Sequence, residues 1–173
     1  MAEMRLIVAG AGGRMGRTLV KAIAEAKGFA LAGALEDARS PLIGWDAGTL
    51  AGMPENGVKL TGDAVPLLDR ADGIVDFTAP VATVAFAALA AKSGKVHIIG
   101  TTGLSAADEG KVAEAAKQAV IVKSSVRRKS TFTKWRRSFT TTAASTSAMR
   151  FRRARADVAV SFSSQKNSES TPT

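Results

Sequence analysis

The stretch Leu6-Ile7-Val8-Ala9-Gly10-Ala11-Gly12-Gly13-Arg14-Met15-Gly16-Arg17 decides how this chain folds. A short apolar run closed by a turn signal reads as a buried strand. Met15, Leu19, Val20 and Ile23 then recur at helical spacing, so a helix begins inside the glycine turn. Strand, glycine turn and helix in that order carry bare backbone N–H groups to the positive end of a helix, where phosphate oxygens bind. Strict G-x-G-x-x-G spacing would need a glycine where Ala11 stands, so the pattern here is Gly10-x-x-Gly13-x-x-Gly16. A tight turn before a helix would carry the same glycines without a ligand. The second strand favours the ligand: Leu31-Ala32-Gly33-Ala34-Leu35 ends in Glu36, twenty residues after Gly16, where a carboxylate would hold the ribose hydroxyls of a dinucleotide. Asp37 adds a second negative charge against a 2′-phosphate, which favours NADH. Arg39 is the nearest cation and, turned inward, would admit NADPH.

Strand and helix patterns continue to alternate. Gly44-Trp45-Asp46-Ala47-Gly48 reads as a glycine-rich connection, Val58-Lys59-Leu60-Thr61 as a short extended piece, and 65–70 as a short helix. Ile74-Val75-Asp76-Phe77 reads as a buried parallel strand, and Thr78-Ala79-Pro80 opens an alanine-rich helix over 81–92 that Gly94 stops. Val96-His97-Ile98-Ile99 is a strand ending in Gly100-Thr101-Thr102-Gly103. Ser105 and Asp108 form a capping-box signature for a helix over 105–118, and Ala119-Val120-Ile121-Val122 is a further strand. Strands separated by helices imply a parallel sheet with right-handed crossovers, an α/β doubly wound domain of Rossmann type over residues 1–123.

Charge divides the chain at the same place. The net charge is +9, but residues 1–123 hold 13 Lys plus Arg against 13 Asp plus Glu, while 124–173 holds 11 bases against Asp157 and Glu169. Ser and Thr make up 19 of the last 50 residues, without a sustained apolar face, so a disordered basic tail is expected at 124–173. Cysteine is absent, which excludes disulfides and thiolate chemistry, and no metal-ligating set is expected. The single histidine, His97, lies within a strand and is expected to be a satisfied or half-buried strand residue rather than a ligand or base. No apolar run approaches the roughly 18 to 20 residues that span a bilayer, and the start lacks a signal-peptide pattern, so a cytoplasmic protein with no membrane partner is expected.

The glycine turn, Glu36, Gly44-Trp45-Asp46-Ala47-Gly48, Asp76-Phe77-Thr78-Ala79-Pro80 and Gly100-Thr101-Thr102-Gly103, in this order and at these separations, resemble the amino-terminal cofactor domain of the dihydrodipicolinate reductases. The resemblance covers about residues 4–124. It implies an oxidoreductase of lysine and diaminopimelate synthesis, using NADH or NADPH to reduce 4-hydroxy-tetrahydrodipicolinate, a small dicarboxylate. Gly10, Ala11, Gly12, Gly13, Arg14 and Met15 would wrap the pyrophosphate and Glu36 would hold the adenosine ribose. Gly100, Thr101 and Thr102 would border the nicotinamide and its ribose, with Thr102 also reaching substrate, and Phe77-Thr78 would line the floor.

The family continues with a second domain that carries a His-His-x-x-Lys segment, a Ser-Gly-Thr carboxylate clamp and the oligomer contacts. Here Val122-Lys123-Ser124 runs into Ser125-Val126-Arg127, and no histidine follows His97. No catalytic residue is therefore assigned, weak or absent turnover is expected, and the family's homo-oligomer is not carried over. Threonine codons read one nucleotide earlier encode His, Tyr, Asn or Asp. On that reading Thr140-Thr141-Thr142-Ala143-Ala144-Ser145-Thr146 permits His-His-His-Arg-Arg-Val-Asp, which makes a frameshift near codon 124 a hypothesis for the tail. The alternative is a non-catalytic dinucleotide-binding module whose basic tail, with Phe132, Trp135 and Phe139, binds nucleic acid. Composition makes nucleic acid the weaker reading. Another Rossmann reductase, such as an aspartate dehydrogenase or imine reductase, is a third possibility.

Overall fold

A computed structural model describes residues 3–124. The basic tail, its proposed disorder, its nucleic-acid alternative and the frameshift segment lie outside the described residues. A first compact unit runs over Met1–Ser125.

Its elements alternate as expected: β1 (Met4–Ala9), α1 (Arg14–Glu25), β2 (Phe29–Leu35), α2 (Ala47–Leu50), β3 (Leu60–Thr61), α3 (Val65–Leu68), β4 (Gly73–Asp76), α4 (Pro80–Ser93), β5 (Val96–Ile99), α5 (Ala106–Ala115) and β6 (Ile121–Lys123). The described strands form one six-stranded sheet in the order β3-β2-β1-β4-β5-β6. Every pairing between these strands is parallel. This is the Rossmann arrangement: the chain winds outward from β1 in one direction, then in the other from β4, and leaves a crevice where the two directions part.

Parallel strands are covered on both faces and therefore become nearly continuous apolar runs. Leu6, Ile7, Val8 and Ala9 are all buried, as are Ile74 and Val75 beside them. On one face, Ile7, Leu35 and Ile74 pack with Leu67, Leu68 and Ala90. Near β5 and α5, Ile99, Ala87 and Val112 form a second cluster. The β1–β2 register slips between Leu6 and Ile7, bringing Gly33 opposite Ile7. A Cβ at Gly33 would come within 2.6 Å of Leu67, so this glycine is where α3 approaches the sheet.

Several local expectations are corrected. Met15 is exposed and stands outside the apolar stripe of α1, whose buried face is Gly16, Leu19, Val20 and Ile23. The segment Gly44-Trp45-Asp46-Ala47-Gly48 is more than a connection, because Asp46 caps α2 through the Thr49 N–H at 2.9 Å. The same carboxylate also accepts from the N–H groups of Asn56 and Gly57 at 3.2 and 2.8 Å. Helix α3 ends at Leu68 rather than 70, and α5 at Ala115 rather than 118. Strand β6 begins at Ile121 rather than 119. The short apolar patterns at these ends were too brief to fix a boundary. The capping box at Ser105 and Asp108 is present, and Gly94 closes α4 in a left-handed conformation at φ 63°.

Candidate functional site

The carboxyl ends of β1, β2, β4 and β5 bring the expected site residues together. At the end of β1, the N–H groups of Gly10 and Ala11 both donate to the Leu35 carbonyl at 2.9 Å, joining the glycine turn to the end of β2. Gly10 has φ 77°, and a Cβ there would meet the Phe77 carbonyl at 3.1 Å and Thr78 at 3.2 Å. Side-chain crowding falls at Gly16 rather than at Gly13. Gly13 has an ordinary extended backbone at φ −76°, and its Cβ would touch only the Gly10 carbonyl, at 3.3 Å. At Gly16 a Cβ would overlap the Gly10 carbonyl and the Ala11 backbone, so it is Gly16 that lets α1 pack against the turn. A Cβ at Gly12 would lie 2.7 Å from both Glu36 and Leu42.

Glu36 faces the turn. One of its oxygens accepts the Gly12 N–H at 2.8 Å and the other accepts the Asp37 N–H at 3.1 Å. Each carboxylate oxygen has two acceptor directions, so both can still receive a hydroxyl donor. Arg39 is turned onto Asp37 in a two-pronged pair, Nε to Oδ1 at 3.1 Å and an Nη to Oδ2 at 3.0 Å. Those bonds hold the Asp37 carboxyl down to about 2, so it stays ionised at ordinary pH. Arg17 donates through Nε to the Gly12 carbonyl at 2.9 Å and steadies the other side of the turn.

The ends of β4 and β5 meet around Asp76. Phe77 packs over Gly100 so closely that a Cβ there would overlap its ring. Asp76 and His97 are both fully buried, with His97 Nε2 lying 3.1 Å from Asp76 Oδ2. Asp76 Oδ1 accepts from the Thr78 N–H at 3.0 Å and from the Thr78 hydroxyl at 2.6 Å. The Thr101 hydroxyl donates to that same oxygen at 3.3 Å and accepts from the Thr83 hydroxyl at 2.8 Å. Burial works to raise the Asp76 carboxyl, but the hydrogen bonds from His97 and the threonine hydroxyls around it outweigh it and hold it below the usual carboxylate range. The Thr101 side chain is therefore turned inward and buried, while Thr102 is exposed.

This buried network escaped the sequence reading. The signal available was a carboxylate closing the otherwise apolar strand Gly73-Ile74-Val75-Asp76, with threonines at 78, 83 and 101. His97 is more deeply buried than expected and satisfied on one side only, since its Nδ1 has no hydrogen-bond partner among the described residues.

The arrangement fits a dinucleotide. The N-terminal turn of α1 has neither a side-chain cap nor an acidic residue, so its N–H groups face the glycine turn without a competing anion. Side chains at Gly10 and Gly12 would fill the cradle. A cavity of about 370 Å3 lies elsewhere, beside Gly33, Lys59 and Arg70 at the β2–β3 edge, and no expected site residue lines it. No described helix is long and apolar enough to cross a membrane.

Comparison with known proteins identifies the family. The family model for the dihydrodipicolinate reductase N-terminus matches residues 4–126. The chain is 59% identical over 124 residues to the 4-hydroxy-tetrahydrodipicolinate reductase of Rhodopseudomonas palustris strain BisB5, covering 72% of this chain and 46% of that protein. It is 57% identical to the enzyme of Bradyrhizobium diazoefficiens, with the same coverage. The chain thus spans less than half the length of these curated relatives. Among solved structures, a dipicolinate-bound dihydrodipicolinate reductase from Paenisporosarcina sp. TG-14 shares the fold at TM-score 0.53 and 19% identity, over 66% of this chain and 43% of that one. The WlbA dehydrogenase of Chromobacterium violaceum, solved with NADH and UDP-GlcNAcA, does so at TM-score 0.56 and 15% identity, over 72% and 35%. A Rossmann sheet whose residues 4–126 match the amino-terminal family model places the chain in the dihydrodipicolinate reductase family.

Proposed function

We propose that this chain is the cofactor-binding part of a 4-hydroxy-tetrahydrodipicolinate reductase, that it binds NADH in preference to NADPH, and that it turns over poorly on its own. The observation that carries the reading is the glycine turn packed through Gly16 against the uncapped start of α1, with the Glu36 carboxylate beside it. In this reading Gly10 through Met15 wrap the pyrophosphate, with the N–H groups of Arg14 and Met15 at the uncapped start of α1 donating to it, and Glu36 accepts from the adenosine ribose. Gly100, Thr101 and Thr102 border the nicotinamide through backbone and the exposed Thr102 side chain, on a floor of Phe77 and Thr78. When bound, the reduced nicotinamide supplies hydride to the dicarboxylate substrate.

The preference for NADH follows from charge. Glu36 and Asp37 are anions at the ribose end, and Arg39 is already committed to Asp37. Poor turnover is expected because no histidine follows His97 in the sequence and His97 itself is fully buried, away from any substrate. Loss of general-acid assistance alone costs roughly 10² to 10⁴ in rate.

Calorimetry with NADH and NADPH, followed by a coupled reductase assay on the same protein, tests all three parts. NADH is expected to bind about fivefold tighter than NADPH, the scale of one screened surface charge pair. Turnover is expected to fall below the common enzyme range of about 1 to 10³ per second by two or more orders of magnitude. No NADH binding by the folded chain would sink the cofactor assignment, and turnover within the common range would sink the claim of impairment.

A further inference from the structure

Asp76 ends β4 wholly inside the protein, at a position where an apolar residue would continue the strand without cost. A buried carboxylate persists only where donors surround it. An ionised carboxylate can only accept, so each of its four contacts brings a donor: the Thr78 N–H, the Thr78 hydroxyl and the Thr101 hydroxyl on Oδ1, and the His97 Nε2–H on Oδ2. The Thr78 N–H is shared with the Thr101 hydroxyl oxygen at 3.1 Å, and Thr83 from α4 completes the chain of donors at 2.8 Å. One carboxylate thereby fixes two turns relative to each other, the one after β4 and the one after β5. Backbone pairing adds a further tie, with the Gly100 N–H donating to the Asp76 carbonyl at 2.8 Å.

We infer that Asp76 is a positioning residue for the nicotinamide end of the cofactor site, acting through Thr78 and Thr101, with Thr83 and His97 as its outer partners. The inference rests on the reading that the Phe77-Thr78 and Gly100-Thr102 turns border the nicotinamide. Asp76, Thr83 and His97 each have zero exposure, so none of them can touch a ligand. What the carboxylate adds over an apolar residue is direction: it sets where the Thr78 N–H and the Thr101 hydroxyl point. The spacing of the two turns that flank the nicotinamide follows from that. The adenine half has separate supports in Glu36 and the Leu35 carbonyl. Loosening the Asp76 network should therefore weaken one half of the site and spare the other.

The test titrates the full chain calorimetrically with NADH and with ADP, which keeps the adenine half and lacks the nicotinamide and its ribose. The variants are Asp76→Asn, Thr83→Val and Thr83→Ser. Thr83→Val is nearly isosteric and removes only the hydroxyl, so it reports on the network even where Asp76→Asn fails to fold. Asp76→Asn and Thr83→Val are expected to weaken NADH about tenfold, the scale at which modest misplacement of binding groups is felt. ADP affinity should stay within about twofold, and Thr83→Ser should restore NADH binding. The emission of bound NADH should shift in Thr83→Val and return in Thr83→Ser. Equal losses for both ligands, or no loss for either, in variants of a binding-competent parent overturn the inference alone. A parent chain that binds neither ligand overturns the cofactor reading and the inference together.

Discussion

Gly13 and Gly16 stand three residues apart and serve the turn in different ways. Gly16 meets the Gly10 carbonyl and the Ala11 backbone, neither of which can move without shifting β1, so any side chain there strains the junction of strand and helix. Gly13 borders open space apart from one contact at 3.3 Å, so a side chain there is tolerated by the fold but, in the proposed cofactor site, would stand in the path of an approaching phosphate. Gly16→Ala is expected to destabilise the domain by about 1–3 kcal/mol, the range for overpacking against a fixed neighbour. Gly13→Ala should cost about 1 kcal/mol or less, since alanine is a poorer N-cap than glycine but meets no close neighbour here, while lowering NADH affinity. Thermal unfolding with parallel calorimetry separates the two. A Gly16→Ala protein as stable as the parent would contradict the packing described here.

Strands β4 and β5 are joined at their carboxyl ends by one buried carboxylate, and this gives the pair an acid sensitivity that apolar strands lack. The Asp76 carboxyl is held below its ordinary value in the folded protein, so as pH falls the unfolded chain takes up its proton first. The stabilisation is full above the unfolded value of about 4 and is lost as pH falls through the lower folded value. Asp76→Asn replaces an acceptor-only group with one that brings two donors against His97, and should cost about 2–4 kcal/mol at pH 7. Because the variant cannot titrate there, its deficit relative to the parent should shrink between about pH 5 and pH 3. Urea unfolding of both proteins at pH 7, 5, 4 and 3 measures this, and a deficit that stays constant across the series would show that the carboxylate charge is not what joins the strands. Elsewhere the elements are tied down by local devices: the Ser105–Asp108 box starts α5, and Asp46 gathers the backbone of the loop before β3.

For the molecule as a whole, the first compact unit carries every strand of the described sheet and every expected site residue within Met1–Ser125. A chain ended after Ser125 is therefore expected to unfold cooperatively and to bind NADH within about threefold of the full chain, a difference below about 1 kcal/mol. Loss of NADH binding on that truncation would mean that later residues complete the site. Much of this architecture was written in the order of residues. Apolar runs of four residues, glycine after the first and a carboxylate after the second reflect short-range rules: a buried parallel strand must be apolar, and a phosphate turn must lack side chains. Those rules act within a dozen residues, so Leu6 to Arg17, Glu36 and the Ser105 cap could be read directly. Contacts between residues distant in sequence could not. That Gly16 rather than Gly13 bears the close approach depends on where α1 lands against Gly10, and the inward turn of Thr101 depends on Asp76, 25 residues earlier. The partnership of His97 with Asp76 exists only because β4 and β5 pair in register, setting Ile74 beside His97 and Asp76 beside Ile99. A lone histidine in an apolar strand gives no sign of this, because its partner is chosen by sheet pairing rather than by its neighbours along the chain.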